Sequence, residues 1–328
     1  MSRLLIDHHG REIDYLRVSI TDLCNLRCAY CRPPEGVELT SHSEILRYEE
    51  ILTIVRVARD MGIRKVRITG GEPLVRRGVV EFVSMITAID GIEDVGLTTN
   101  GIRLAAMARE LRDAGLKRVN VSLDSLRQEV FERITGTDGL DNVLEGIEAA
   151  MAQGFDPVKI NVVLLKGINE PDIPEFARMT LDQPVDVRFI ERMPFDAEYV
   201  DNAPESFSAT GALDMIRQDV RDLDESERDD LDGPARMFRL KNAKGRIGVI
   251  DPITGHFCGT CNRLRLTAKG TLRPCLMSGS EIDIKSPLRN GASMDELAQV
   301  LRSAVLAKPM GASANRGRLK IGMNQIGG

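Results

Sequence analysis

Six cysteines fall into two groups of three. Cys24, Cys28 and Cys31 stand near the start, and Cys258, Cys261 and Cys275 near the end. The long middle of the chain has none. An odd count in each group does not suit disulfide pairing, and a reducing compartment keeps thiols free, so the tight spacing points to metal. The first group reads C-x3-C-x2-C. Zinc sites want four ligands, usually as paired knuckles. Three thiolates on one loop instead match a cuboidal iron–sulfur cluster with one iron left without a protein ligand. An iron with an open position can bind a small molecule and serve chemistry rather than simple electron relay. The second group reads C-x2-C-x13-C. Taken alone, that spacing also fits zinc, with His256 as fourth ligand. Beside an iron–sulfur loop, a second three-cysteine cluster is the stronger reading, with His256 a packed or hydrogen-bonding neighbour.

Periodicity gives the elements that must hold these groups. Short β runs rich in Val and Ile cover 15–20, 65–69, 94–99, 118–123, 158–165 and 186–190. Amphipathic helix patterns lie between them at 48–60, 79–90, 104–114 and 140–153. Gly62, Gly91, Gly115 and Gly154 sit just past those helices, where a left-handed cap is wanted. Six βα units imply a parallel sheet with right-handed crossovers, too few for a closed eight-stranded barrel. In the first run Leu16, Val18 and Ile20 oppose Arg17 and Ser19. In the second, Val66 and Ile68 oppose Arg67 and Thr69. The polar face continues through Thr98, Asn120, Ser122, Lys159 and Asn161. A doubly wound sheet would be apolar on both faces. One apolar face and one polar, partly cationic face predict an open partial barrel, with helices outside and a ligand cavity inside. The first cysteine group then lies in the loop after the first strand, at the mouth where βα loops carry function.

After Met193 the rhythm stops. Residues 219–232 are acidic and polar, and read as a solvated loop rather than a binding site. Short β-like pieces follow at 237–240, 246–250 and 264–267, then a helix pattern at 294–307 and a Gly-rich tail. The expected division is a barrel core over 1–195 and a C-terminal region over 196–328 that carries the second cysteine group and closes the barrel.

Composition sets the outer limits. Lys and Arg number 44 against 49 Asp and Glu, a net charge of −5, which offers no general footprint for nucleic acid or membrane. No apolar run approaches the ~20 residues of a spanning helix. There is no Trp to build a stacking platform for single strands. The N-terminus, MSRLLIDHHG, has no apolar signal core, so a cytoplasmic location is expected.

These features together resemble the radical S-adenosylmethionine (SAM) superfamily. The resemblance rests on the first cysteine loop, on Tyr30 before its last cysteine, and on Gly70-Gly71-Glu72-Pro73 after the second strand. It narrows to one member family, the GTP 3′,8-cyclases. The ordered set carrying it is YLRVSITDLCNLRCAYC, RITGGEPLVR, LTTNG, VNVSLDS, KINVVLLKGIN, RFIERMPF, FCGTCNRLRLT and the final IGG. The resemblance implies an α/β fold: a partial (β/α)6 TIM-type barrel with a C-terminal α+β layer carrying a second iron–sulfur cluster.

It also implies a chemistry. Two [4Fe–4S] clusters are expected, held by Cys24, Cys28 and Cys31 and by Cys258, Cys261 and Cys275. SAM on the first would yield a 5′-deoxyadenosyl radical that takes hydrogen from C3′ of the GTP ribose, after which C3′ adds to guanine C8. SAM contacts fall on Tyr30, Gly71, Ser122 and Met193. GTP contacts fall on Arg17, Arg67, Thr98, Lys159, Arg263, Leu264 and Arg265. Catalytic roles fall on Arg17, Arg265 and the tail glycines Gly327 and Gly328. Expected partners are GTP, a one-electron reductant of flavodoxin or ferredoxin type and, downstream, cyclic pyranopterin monophosphate synthase acting on the product; a homodimer stays open. The residues agree on substrate class: five cations around one cavity in an acidic protein call for an anion, and Arg forks suit phosphates.

Overall fold

Alternating β-branched and polar residues form strands where the pattern placed them, within a residue or two at each end. A computed structural model gives the structure, describing residues 4–31, 40–193, 207–255, 257–311 and 323–327. His256, Gly328 and the expected 195/196 boundary lie outside the described residues. Strands β1 (Tyr15–Ser19), β2 (Lys65–Thr69), β3 (Asp94–Thr99), β4 (Arg118–Ser122), β5 (Val158–Leu164) and β6 (Val185–Glu191) lie side by side in sequence order, all parallel. Helices α1 (Tyr48–Asp60), α2 (Val79–Thr87), α3 (Leu104–Asp113), α4 (Gln128–Thr135), α5 (Leu140–Ala152) and α6 (Ile173–Asp182) make the crossovers. Gly62 and Gly91, just past α1 and α2, have φ of +100° and +88°, so a left-handed residue does follow each helix.

One face of each strand builds the core. Leu16, Val66, Leu97, Val119, Ile160 and Val187 are fully or almost fully buried in a single cluster with Ile51, Phe82, Leu111 and Phe176 from the helices. Each such side chain contributes roughly 1.5–3 kcal/mol. The opposite face carries Arg17, Arg67, Thr98, Asn120, Lys159 and Arg188.

The C-terminal region takes a form that the pattern did not specify. Helix α7 (Ala209–Asp219) comes first. Strands β7 (Leu223–Glu225), β8 (Arg236–Leu240) and β9 (Arg246–Ile250) then extend the sheet beyond β6, with β9 parallel to β6. Strands β10 (Arg263–Leu266), β11 (Thr271–Arg273) and β12 (Ile282–Asp283) extend the other edge, with β10 parallel to β1. The result is one open twelve-stranded sheet ordered β12-β11-β10-β1-β2-β3-β4-β5-β6-β9-β8-β7. Helices α8 (Lys285–Arg289), α9 (Met294–Leu306) and the short tail helix α10 (Met323–Ile326) complete the described elements. Ser293 and Glu296 form a capping box that starts α9. The acidic segment 219–232 differs from its reading as a solvated loop. It contributes edge strand β7, and its last residue, Asp232, is fully buried. Among the described residues no helix is long and apolar enough to cross a membrane.

Candidate active site

The first cysteine group occupies the loop that leaves the C-terminal end of β1. Backbone bonds tie this loop down: Arg27 N and Ala29 N donate to the Thr135 and Ile134 carbonyls at the end of α4, both at 2.9 Å. The Gly-Gly turn after β2 supports it from beside. Gly71 N donates to Thr21 O and Glu72 N to Leu23 O, each at 2.7 Å. A Cβ on Gly71 would stand 2.3 Å from the Leu23 carbonyl oxygen, so only glycine permits this approach. Glu72 is buried, and its carboxylate accepts from Leu74 N (2.9 Å), Thr99 Oγ1 (2.7 Å) and Asn100 N (2.6 Å). Burial nevertheless lifts it to about 7. Asn100 Nδ2 in turn donates to Asn25 Oδ1 (2.8 Å) and lies 3.8 Å from Cys24 Sγ. Tyr30 donates its hydroxyl to Asp124 Oδ2 at 2.6 Å, which fixes the ring at the end of the loop.

The donor set fits an iron–sulfur cluster. Cys24, Cys28 and Cys31 are half-buried free thiols. Burial pushes the Cys28 thiol well up, and neighbouring Cys31, Asp124 and Cys24 push it further, so thiolates here need a cationic metal to hold them. Among the described residues no three His, Cys, Asp or Glu side chains converge on a point that one ion could occupy. Thiolates that ligate separate corners of a cluster are not drawn to one point.

A row of cations crosses the sheet between the two cysteine groups. In register, Arg265 of β10 pairs with Arg17 of β1, Arg17 with Arg67 of β2, Arg67 with Gly96 of β3, and Gly96 with Arg118 of β4. A Cβ on Gly96 would come within 3.0 Å of the Arg67 and 3.1 Å of the Arg118 guanidinium carbon, so glycine makes room for both heads. The next row holds Thr98, Asn120, Lys159 and Asp186. Burial alone would raise the Tyr15 phenol, but Arg67, Arg17, Arg118 and Arg263 outweigh it and bring it down to about 7. Burial lowers Arg17 to about 10; Tyr15 opposes this, while Arg67 and Arg263 add to it. Arg265 is pushed well down by burial, then by Arg17 and Arg263. This stretch of the sheet's polar face is therefore strongly positive. Among the described residues, Arg67 Nη1, Arg118 Nη1, Arg188 Nε, Thr98 Oγ1, Asn120 Oδ1 and Asn161 Oδ1 are buried on this face without a hydrogen bond. The donors left in this state suit an anion, and the two amide oxygens suit hydroxyl or N–H groups on the same molecule.

The second cysteine group lies at the opposite end of the same strands. Cys258 and Cys261 precede β10, and Cys275 follows the antiparallel β11, so all three sit at the N-terminal end of β1 and β10. Arg11 Nη1 holds the Cys258 carbonyl at 2.6 Å. Buried Lys308 donates to the Arg263 and Pro274 carbonyls at 2.7 and 2.8 Å. Burial would raise the Cys261 thiol, but Arg263 and Lys308 outweigh it and lower it. The tail enters between the two ends. Gly327 is buried, its carbonyl accepts from Arg265 Nη1 at 2.6 Å, and Ile326 packs on Met193, Leu276 and Met277.

The expected residues divide by what the structure brings together. Arg17, Arg67, Thr98, Lys159 and Arg265 share the polar face. Arg263 lies 5.3 Å over the Phe257 ring beside Cys261. Leu264 points the other way, pairs with Leu16 and is buried in the core, so only its backbone is available to a ligand. Gly71, Tyr30 and Ser122 line the cysteine-loop end. Tyr15, Arg118, Arg188 and Asp232 were not singled out in the sequence. Alternation with Val119 and Val187 was the available signal for the two arginines.

The chain matches the Radical SAM superfamily over residues 18–180 and the Molybdenum Cofactor Synthesis C family over residues 185–314. It is 51% identical over 312 residues to a GTP 3′,8-cyclase of Heliobacterium modesticaldum, covering 93% of each chain. It is 47% identical over 323 residues to that of Pelotomaculum thermopropionicum, covering 98% of this chain and 99% of the relative. Among solved structures, Streptococcus suis SuiB superposes with a TM-score of 0.62 at 16% identity, over 90% of this chain and 69% of that one. Native anSMEcpe with bound AdoMet gives 0.59 at 16%, over 88% and 81%. At that identity the two structures speak for the fold alone, an open partial barrel. Sequence identity near one half over almost the whole length, on that fold and around those two cysteine groups, places the chain in the GTP 3′,8-cyclase family of the radical SAM superfamily.

Proposed function

We propose that this chain converts GTP to (8S)-3′,8-cyclo-7,8-dihydroguanosine 5′-triphosphate, an early step of molybdenum cofactor biosynthesis. One observation carries the reading: the row of buried Arg265, half-buried Arg17 and buried Arg67 lies across paired strands whose two ends hold the two cysteine groups. Cys24, Cys28 and Cys31 would hold one [4Fe–4S] cluster, and Cys258, Cys261 and Cys275 a second. When bound, the first cluster and SAM would supply one-electron cleavage of SAM and removal of the C3′ hydrogen of the ribose; the C3′–C8 bond would close the ring, and an electron from the reductant with one proton would balance it. The rest of the work is orientation. Arg17, Arg67, Arg265 and Lys159 bind the triphosphate as charge-assisted donors, and Thr98 offers its hydroxyl. Tyr30, Gly71, Ser122 and Met193 seat SAM at the cysteine-loop end. The β10 strand between the two ends is roughly 13 Å long, which leaves the ribose between the SAM end and a guanine at the second cysteine group. Holding one ribose hydrogen toward the radical is the main demand on the protein.

A one-electron donor of flavodoxin or ferredoxin type and a downstream cyclic pyranopterin monophosphate synthase complete this reading, in the cytoplasm. The deciding experiment is anaerobic incubation with GTP, SAM and a reductant. Equimolar 5′-deoxyadenosine and cyclised nucleotide support the reading. SAM cleavage that GTP neither stimulates nor couples to product overturns it.

A further inference from the structure

Two carboxylates and three cations meet beneath β5, β6 and β9. Asp232 belongs to the acidic run before β8, yet its side chain is fully buried. Its Oδ1 lies 3.5 Å from Lys159 Nζ, 3.3 Å from Arg188 Nη2 and 3.0 Å from Arg246 Nη2. Asp186 lies 3.7 Å from Lys159 and is gripped through both oxygens by Arg246, at 3.1 and 2.8 Å. The preceding carbonyl, Leu231 O, accepts from Lys159 Nζ at 2.7 Å. The Asp229 amide donates to Asp232 Oδ2 at 2.9 Å.

Resting on the function proposed above, we infer that Asp232 is a positioning residue: with the Leu231 carbonyl, it holds the Lys159 ammonium charged and aimed as a donor to the substrate's polyphosphate. A buried carboxylate is costly unless paired, and an acidic surface run has no need to send its last residue inside. Of the three contacts to Lys159 only the one to Leu231 O is short. The two ion pairs supply charge without consuming its remaining N–H donors.

The groups that face Lys159 set the balance. Arg118 stands on β4, Asp186 and Arg188 on β6, Asp232 on the segment before β8, and Arg246 on β9 behind both carboxylates. Burial lowers Lys159, Arg188 and Arg118 lower it further, and the two carboxylates hold it up at about 7. Removing the Asp232 charge takes away one of the two contacts that hold Lys159 up, so less of the amine carries charge at neutral pH. A rival role has the opposite sign. If Asp232 merely occupied the phosphate site as a displaceable plug, its removal would tighten anion binding at every pH.

The test uses anaerobically purified holoprotein, with inorganic tripolyphosphate and GTP titrated by calorimetry between pH 6 and pH 8.5. Comparing Asp232→Asn with wild type at each pH cancels the ligand's own titration. Asp232→Asn is expected to bind both ligands about tenfold more weakly at pH 8, the effect of moving one lysine by about one unit, and as tightly as wild type or tighter at pH 6. Asp232→Glu, which keeps the charge, restores the wild-type profile. A ratio that is constant with pH, or tighter binding throughout, overturns the proposal. Wild-type protein that binds tripolyphosphate but not GTP overturns the functional reading instead, and the pH ratio still decides this one. Should Asp232→Asn not fold, Lys159→Met/Asp232→Asn removes one charge of each sign. Its tripolyphosphate affinity must equal that of Lys159→Met, and a further tenfold loss overturns the role.

Discussion

Arg265 Nη1 donates to the carbonyl of Gly327 at 2.6 Å, across 62 residues of chain. The contact places the tail on the same arginine that stands in register with Arg17. Gly327 has a φ of +70°, and a Cβ there would lie 2.9 Å from both Ser19 Cβ and Thr69 Cγ2. A left-handed residue with a side chain costs about 1–2 kcal/mol before any clash. Gly327→Ala is therefore expected to undock the tail, as is deletion of Gly327 and Gly328. Iron content, SAM cleavage and melting temperature should stay near wild type, while cyclised product falls at least about tenfold, one lost charge-assisted bond. Full product from the truncated chain, assayed anaerobically by chromatography, would return the tail to the status of an ordinary terminus.

On the proposed function Arg17 and Arg265 hold the substrate, so Arg17→Ala or Arg265→Ala should weaken GTP binding by about tenfold or more, equivalent to roughly 1.5–3 kcal/mol. SAM cleavage should persist and lose its coupling to product. Calorimetry with GTP and ATP checks both parts. Equal affinity for the two nucleotides would contradict a guanine contact at the second cysteine group.

Replacing Cys24, Cys28 and Cys31 together by Ala should abolish SAM cleavage and leave the second cluster in place. Iron should fall from about eight to about four atoms per chain. Elemental analysis and electron paramagnetic resonance read this out. Reconstituted protein that stably holds zinc and no iron at Cys258, Cys261 and Cys275 would refute the two-cluster count.

Glu72 gives a pH signature. Its folded-state value is raised to about 7 by burial, against the ordinary 4.5. The folded state thus binds the proton more tightly than the unfolded chain. The stability this contributes is complete below about 4.5 and is lost as pH rises through 7. Glu72→Gln removes that dependence. The urea midpoint of wild type relative to the variant should therefore fall across this window, and a difference that rises with pH contradicts the assignment.

Strand parity made much of the barrel legible. Arg17, Arg67 and Lys159 had to share a face because each alternates with Val or Ile, and the structure aligns that face across β1, β2 and β5. Register was not legible. That Arg67 and Arg118 flank a bare Gly96 depends on how far neighbouring strands slide, which no single strand encodes. Leu264 shows the same limit in reverse: a motif position one residue from two arginines turns its side chain into the core. Asp232 was hidden because local composition describes a segment's average, whereas burial depends on a partner, here Lys159, supplied by a distant strand.

The parallel pairing of β10 with β1 joins segments made far apart in time; Asn262 Nδ2 reaches Asp14 Oδ1 across 248 residues at 2.6 Å. While the chain is still emerging from the ribosome, β1 has β2 on one side and an unpaired edge on the other. Such an edge invites pairing with another chain until its own partner arrives. The same delay reaches the site. The strand bearing Arg263 and Arg265, and the thiols beside it, come into place only after β10 has been made, so a chain that has reached only β6 lacks two of the cations of the polar face. Synthesis of β10 is thereby the step that completes the cationic face.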